Sequence, residues 1–313
     1  MSHYTFIVNP TSGRGNGRRS LPQLEQCLQE KGVSYELILT ERPLHASEIA
    51  YQAAQEGRDV VVAVGGDGTV NETINGLMRA KQEGADQTTM AVLPVGRGND
   101  FAYGMGMSAD LATDCAIIAN GNRRAIDIGR VTGGLHPEGR YFGNSVGIGF
   151  DAVVGFEALK MAPLNGFVSY IAAALKTIFL YHQATLVDIQ SNGQSVRQPA
   201  LMVAVMNGQR QGGLFFMSPE AKNDDGLFDV CIAGAASRAR IFTLLPHFIK
   251  GSQFGQPEIS FKQTEQVTVT AVNGTLPAHA DGETICTDGQ TLKLEILPRQ
   301  LQIICPPPTG NQS

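Results

Sequence analysis

The chain carries no surplus of positive charge. Its 313 residues include 24 Lys and Arg against 29 Asp and Glu, a formal net charge of −5 at pH 7. The basic clusters, Arg14, Arg18 and Arg19 and then Arg238 and Arg240, are too short for a nucleic-acid footprint and read as solvated surface. Cysteine is sparse as well. Cys27, Cys115, Cys231, Cys286 and Cys305 are odd in number, scattered and without a CxxC pair, which argues against a disulfide frame or a zinc site and fits a reducing compartment. No apolar run is long enough to span a bilayer; the best candidate, Phe167 to Tyr181, is short and contains Lys176. The amino terminus enters a strand at once, with no room for a charged segment, an apolar stretch and a cleavage site, so a cytoplasmic protein is expected. Internal repeats and the Walker GxxxxGK[ST] pattern are also missing.

What the chain does have is Val60 to Asn75, VVVAVGGDGTVNETIN. Five small or β-branched apolar residues stop at two glycines and an Asp, and a helix is expected from Thr69 or Val70: a buried strand, a tight turn and a helix. Glycines at 65, 66 and 68 let backbone lie close to a ligand, and the free N–H groups of the helix start point into the same space, as an anion site requires. Asp67 is out of place beside phosphate unless a cation such as Mg²⁺ intervenes. The plainer alternative makes it an N-cap of the following helix.

Around this core the pattern alternates. Strand Tyr4 to Val8, helix Gly17 to Lys31, strand Ser34 to Thr40, helix Ala46 to Glu56, the central strand, helix Val70 to Arg79 and strand Met90 to Leu93 imply a parallel sheet covered by helices. Ligands of such sheets sit at the carboxyl ends of the strands. Three polar glycine loops fall there: Asn9 to Gly13, Gly65 to Thr69, and Pro94 to Asp100. Beyond Asp127 the pattern turns to strands bounded by Gly, Pro and Asn, at Arg140 to Ser145, Leu186 to Ser191, Ala200 to Met206, Asp229 to Ala233, Ile259 to Phe261, Val267 to Val272 and Thr291 to Ile296. Helices are expected at Ala152 to Lys160, Phe167 to Tyr181 and Ala239 to Lys250, and a frayed tail after Pro306. The boundary falls near Arg130, giving a Rossmann-like three-layer α/β/α domain and an all-β antiparallel sandwich.

Three acidic or histidine features of the second half stay open on the residues alone. Asp224, Asp225 and Asp229 flank Gly226 and suit either a hard cation or an exposed turn. Asp281-Gly282 is either a hairpin turn or a catalytic element. His279 shares a strand face with Asp281 and either tunes it or packs.

NPTSG, GGDGTVNE and PVGRGNDFA resemble the nucleotide-side motifs of the diacylglycerol kinase catalytic family, in particular its bacterial soluble lipid kinases, in a superfamily that includes NAD kinases and sphingosine kinases. The likeness continues through Asp127-Ile128-Gly129, NSVGIGFD at Asn144 to Asp151, Pro219 to Asp229, and Asp281-Gly282-Glu283. It implies an ATP-dependent lipid kinase of lipid metabolism and phospholipid biosynthesis, using Mg²⁺ and phosphorylating diacylglycerol or a related lipid alcohol in an interdomain cleft. The nucleotide would lie on Asn9, Thr40, Gly65, Gly66, Asp67, Gly68, Thr69, Asn71, Glu72, Gly96, Arg97, Asn99 and Asp100. Asp281 would be the general base, with Glu283 and Asp67 in the catalytic set. A Mg²⁺ would be held by Asp225 and the carbonyls of Lys222 and Leu227. At Arg97 the family commonly has Thr. The resemblance further implies that a last strand, about 298–306, returns to the first domain (1–130), leaving 131–297 as the lipid-substrate domain. Peripheral, transient contact with a membrane surface is expected for the lipid substrate, through Phe167 to Tyr181 or the Gly212 to Met217 loop, and a homodimer is left open. The rival readings are a soluble metabolite kinase resembling NAD kinase, and a non-catalytic nucleotide sensor.

Overall fold

The computed structural model describes residues 3–160, 176 and 184–307. The apolar helix expected over Phe167 to Tyr181 lies, but for Lys176, outside the described residues, as does the tail from 308. The chain forms two compact units: Met1–Ile126 with Arg299–Ser313, and Asp127–Pro298.

The first unit is built on a parallel sheet of β1 (His3–Val8), β2 (Ser34–Leu39), β3 (Val60–Gly65) and β4 (Thr89–Pro94), in the order β4-β3-β1-β2. β1, β3 and β4 are almost wholly buried, which is why they read as unbroken apolar runs, whereas the edge strand β2 alternates. Right-handed crossovers put α2 (Leu21–Glu30) on one face and α3 (His45–Gln55) and α4 (Asp67–Gln82) on the other. The observed packing agrees, since α3 lies on α4, and α2 on α6 (Leu111–Asn120). Gly76 makes the α3–α4 approach: a Cβ there would stand 2.2 Å from the Ser47 carbonyl oxygen.

Some boundaries differ from the sequence expectation for identifiable reasons. The single helix expected over Gly17 to Lys31 is two. α1 (Ser12–Arg19) is kinked by left-handed Gly13, Arg14 and Gly15, and it meets α2 at Ser20, which stays in αR conformation, with Pro22, which has no N–H to give, in the first turn of α2. α4 starts at Asp67 rather than Thr69, because extended Gly66 is its N-cap and glycine at 68 does not prevent a first helical turn. α5 (Asp100–Gly104) and α6 were not anticipated, although Asp110 accepting from Thr113 N and Gly121 at φ 67° are ordinary cap signals.

The second unit is an antiparallel β-sandwich. β5 (Arg123–Gly133) enters it and pairs with β6 (His136–Phe142). β7 (Ser145–Gly149) and β8 (Thr185–Ser191) both pair with the long β9 (Gln194–Met206), which also pairs with β10 (Phe228–Gly234), and β10 with β11 (Ile259–Thr264). β12 (Gln266–Ala271) joins β8 to β15 (Thr291–Ile304), and β13 (Ala278–Ala280) joins β7 to β14 (Glu283–Cys286). The distal end of β15 runs beside β4 of the first unit, with Ile303 opposite Met90. Both faces of β9 are covered. β7 runs into α7 (Phe150–Lys160); Val203 and Val205 enter the sandwich core with Val230 and Ile232, while Met202, Ala204 and Met206 pack with Cys231, Phe215 and α8 (Arg238–Lys250). Burial pushes the Cys231 thiol far above its ordinary range, so this cysteine is a packing group.

Candidate active site

In the first unit the strand register assembles the loops. Val8 stands opposite both Leu39 and Val64, and Val64 opposite Leu93, so four strands end level. The loops that follow are then held together by contacts only glycine allows. A Cβ on Gly96 would lie 2.4 Å from the Gly66 Cα; one on Gly13 would lie 2.2 Å from the Val95 carbonyl, and one on Gly65 2.3 Å from Thr69 Oγ1. Asn9 Nδ2 donates to Thr69 Oγ1 at 3.1 Å, and Asn9 Oδ1 receives the N–H of Thr11. Left-handed Asn99 folds its amide back on Gly96, accepting from Gly96 N at 3.1 Å and donating to Gly96 O at 3.2 Å. The result is a backbone-lined shelf at the amino end of α4, a geometry suited to phosphate.

The residues with nucleotide resemblance do not all meet there. Asn9, Gly65, Gly66, Thr69, Gly96 and Asn99 do. Asp67 sits in the first turn of α4 and its Oδ1 accepts from Phe101 N at 3.2 Å, so it caps α5 rather than its own helix. Gly68 is within α4, Asn71 is fully buried and accepts from Asn75, and Asp100 is buried in the first turn of α5. Glu72 accepts from Leu44 N (2.9 Å) and Ala46 N (3.1 Å), which anchors the start of α3. Thr40 continues the β2–β1 ladder through Val8 O, and Arg97 is exposed.

In the second unit Asp281 and Gly282 form the two-residue turn between β13 and β14, with φ of 48° and 86°. The hairpin reading is therefore correct, and a further role overlies it. The Asp281 carboxylate is buried and receives three successive backbone N–H groups: Gly143 to Oδ2 at 2.8 Å, Asn144 and Ser145 to Oδ1 at 2.9 Å each. This is why the strand expected over Arg140 to Ser145 breaks into β6 and β7. The left-handed Asp is a costly conformation that these bonds compensate. Glu283 is exposed at the start of β14.

Asn207, which the sequence reading passed over, ties the motifs together by donating to the carbonyls of Asp127 (2.9 Å) and Gly143 (2.8 Å). Its signal was a lone amide closing the apolar run of β9. Asp127 in turn accepts from Gly226 N at 2.7 Å and so fixes the Asn223–Gly226 turn. There Asp225 is exposed, with Leu227 N donating to its Oδ1, and the buried Asp229 carboxyl is pushed upward by burial and then by the Asp225 charge. Crowded carboxylates with backbone carbonyls are a donor set that fits a hard cation. Among the described residues no group of three or more His, Cys, Asp or Glu gathers as a metal cluster.

The second unit also holds an apolar cavity of about 80 Å³, lined among the described residues by Val154, Leu201, Met202, Phe215, Leu244 and Phe248 among others. The Gly212 to Met217 loop forms part of its wall. Its glycines, at φ 64° and 74°, shape a closed turn rather than a loose one, with Gln211 and Phe215 exchanging backbone bonds and Phe216 N bonded to Phe248 O.

Comparison with known proteins follows the same division. Residues 3–131 match the diacylglycerol kinase catalytic domain, and residues 144–305 the YegS C-terminal NAD kinase beta sandwich-like domain. The chain is 28% identical over 285 residues to the diacylglycerol kinase of Bacillus subtilis, covering 90% of both, and 27% identical over 280 residues to that of Staphylococcus saprophyticus, covering 89% and 88%. Its fold is similar to a diacylglycerol kinase structure from Bacillus anthracis (TM-score 0.73, 22% identity, 98% and 97% covered) and to yeast NADH kinase in complex with NADH (TM-score 0.54, 12% identity, 99% and 84% covered). The chain therefore belongs to the family with a YegS-type C-terminal NAD kinase beta sandwich-like domain, here joined to a diacylglycerol kinase catalytic domain.

Proposed function

We propose that this kinase transfers the γ-phosphate of ATP to the hydroxyl of diacylglycerol or a related lipid alcohol, giving a phosphatidic-acid-type product. The observation that carries the lipid part is the apolar cavity of the second unit, walled by the Gln211–Met217 loop and α8, with Asp151 of its lining 3.7 Å from His279 of β13, the strand that precedes the Asp281 turn. A soluble nucleotide acceptor would find little to bind in such a lining, which disfavours an NAD kinase-like activity. A pure nucleotide sensor would have no use for it.

In this reading the glycine shelf cradles the ATP phosphates with backbone N–H groups. The lipid oxygen attacks the γ-phosphorus, an O–P bond forms, the bond to the β–γ bridging oxygen breaks, ADP leaves and the hydroxyl proton passes to Asp281. The three N–H groups of residues 143–145 position that carboxylate. Mg²⁺, held by Asp225 with the carbonyls of Lys222 and Leu227, would supply neutralisation of phosphate charge. Glu283, at the start of β14, and Asp67, in the first turn of α4, act in support. Contact with the membrane is peripheral: among the described residues no helix is long and apolar enough to cross one.

The test is transfer of labelled γ-phosphate from ATP and Mg²⁺ into dioctanoylglycerol micelles, with NAD as a parallel acceptor. Organic-soluble label is expected, reduced about 100-fold or more by Asp281→Asn while ATP binding to the same variant is retained. Label appearing in NAD instead, or undiminished transfer by the variant, would sink the assignment.

A further inference from the structure

Of the cavity's described lining residues only Asp151 and Gln211 are polar, and Gln211 is the one that hydrogen bonds join to the grip on Asp281. Its Nε2 donates to Ser145 Oγ at 2.8 Å. The backbone of Ser145 then holds Asp281 twice: Ser145 N donates to Oδ1 at 2.9 Å, and Ser145 O accepts from Asp281 N at 2.9 Å. One residue earlier, Asn144 N donates to the same Oδ1, while Asn144 Nδ2 donates to Arg210 O at 3.0 Å and to Ser145 Oγ at 3.2 Å. The start of the cavity wall, at residues 210 and 211, is therefore fastened to the two residues that hold Oδ1.

The Gln211 fastening is incomplete. Gln211 is 5% exposed, and its Oε1 is buried with no hydrogen-bond partner among the described residues, so the amide is held at its nitrogen end alone. The backbone around it is firmer, with bonds in both directions between Gln211 and Phe215, another lining residue. The void beside them, about 80 Å³, is several times the roughly 10–15 Å³ that one water needs, and side chains around a void forgo the packing contacts of a filled space. An acyl chain there would supply those contacts and press the Gln211 side chain onto Ser145, narrowing the range over which residues 144 and 145 and the Asp281 carboxylate move. Binding energy gained away from the reacting hydroxyl would then appear at the base, as a faster step and not only as tighter binding. We infer that Gln211 is a positioning residue that couples filling of the cavity by an acyl chain to the placement of Asp281, so that long-chain acceptors are turned over faster as well as bound more tightly.

This rests on the lipid-kinase reading, and the experiment separates the two. Phosphoryl transfer to dioctanoylglycerol and to dibutyrylglycerol gives kcat and KM for each chain length. Hydrogen exchange at the amides of residues 143–145 reports on the grip without any turnover. In the wild type, kcat for the dioctanoyl lipid should exceed that for the dibutyryl lipid by about tenfold, and the dioctanoyl lipid should slow exchange at the three amides. Gln211→Leu, which keeps the cavity apolar and drops the bond to Ser145, should bring the kcat ratio close to one and abolish the slowing. Ser145→Ala, which removes Oγ and keeps the backbone bonds to Asp281, should do the same, and the double variant should add nothing further. Equal kcat for the two lipids in the wild type, no slowing of exchange there, or a kcat ratio or slowing that survives in either folded variant overturns the inference. If neither lipid is phosphorylated but the slowing is present in the wild type and lost in both variants, the coupling stands and the kinase reading fails.

Discussion

At the residue scale, the site depends on atoms that are missing. Gly96 faces Gly66 so closely that a methyl group at 96 would meet backbone, which cannot swing aside as a flexible side chain would. Gly96→Ala should therefore force the two loops apart, costing about 1–3 kcal/mol of stability and weakening ATP binding at the shelf. Urea denaturation and a nucleotide titration read the two effects, and an unchanged midpoint with unchanged affinity would refute the shelf geometry. The glycines could be singled out in the sequence because they cluster after apolar strands. Which backbone each one admits could not, because the neighbour comes from a different loop. Asp67 shows the same limit: its carboxylate caps a helix that starts 33 residues later.

At the element scale, Glu72 links α4 to the start of α3 through two backbone N–H groups, at a point where left-handed Leu44 leaves that helix without a side-chain cap of its own. Glu72→Ala should lower stability by about 1–3 kcal/mol through the two donors left behind, and an unchanged urea midpoint would show the linkage to be idle. The motif resemblance places Glu72 among nucleotide contacts, whereas its geometry here is that of a helix anchor. Elements with both faces buried, such as β3 and the Ala200–Met206 half of β9, were legible as unbroken apolar runs. The split between β6 and β7 was not, because it is made by a carboxylate 136 residues away in sequence, reached from Ser145.

At the scale of the whole molecule, the chain returns to its first unit at the end. Ile303 pairs with Met90, Lys81 Nζ donates to Gln300 O at 2.6 Å and Asn122 Nδ2 to Cys305 O at 3.0 Å, while Leu301, Ile303, Ile304 and Cys305 are buried. Ending the chain at Pro298 should strip this strand from the first unit and expose the flank of β4. Limited proteolysis should then cut the first unit at protease levels the full chain resists, and equal resistance would show the returning strand to be dispensable. Periodicity gave no hint of this return. It rested on family resemblance alone, since a strand's pattern does not say which sheet it joins.

The sequence by itself determined the local grammar: alternating strands and helices up to Asp127, strands beyond it, and the glycine loops at the strand ends. It did so because side-chain period, β-branching and turn chemistry act between neighbours along the chain. Tertiary structure alone decided which groups meet. It set Asn207 between the carbonyls of Asp127 and Gly143, filled the Asp281 carboxylate with three N–H groups, and left Asp151 Oδ2 with no hydrogen-bond partner among the described residues, 3.7 Å from His279 Nε2. Hydrogen bonding and burial depend on distance in space, and spacing in sequence does not encode that distance.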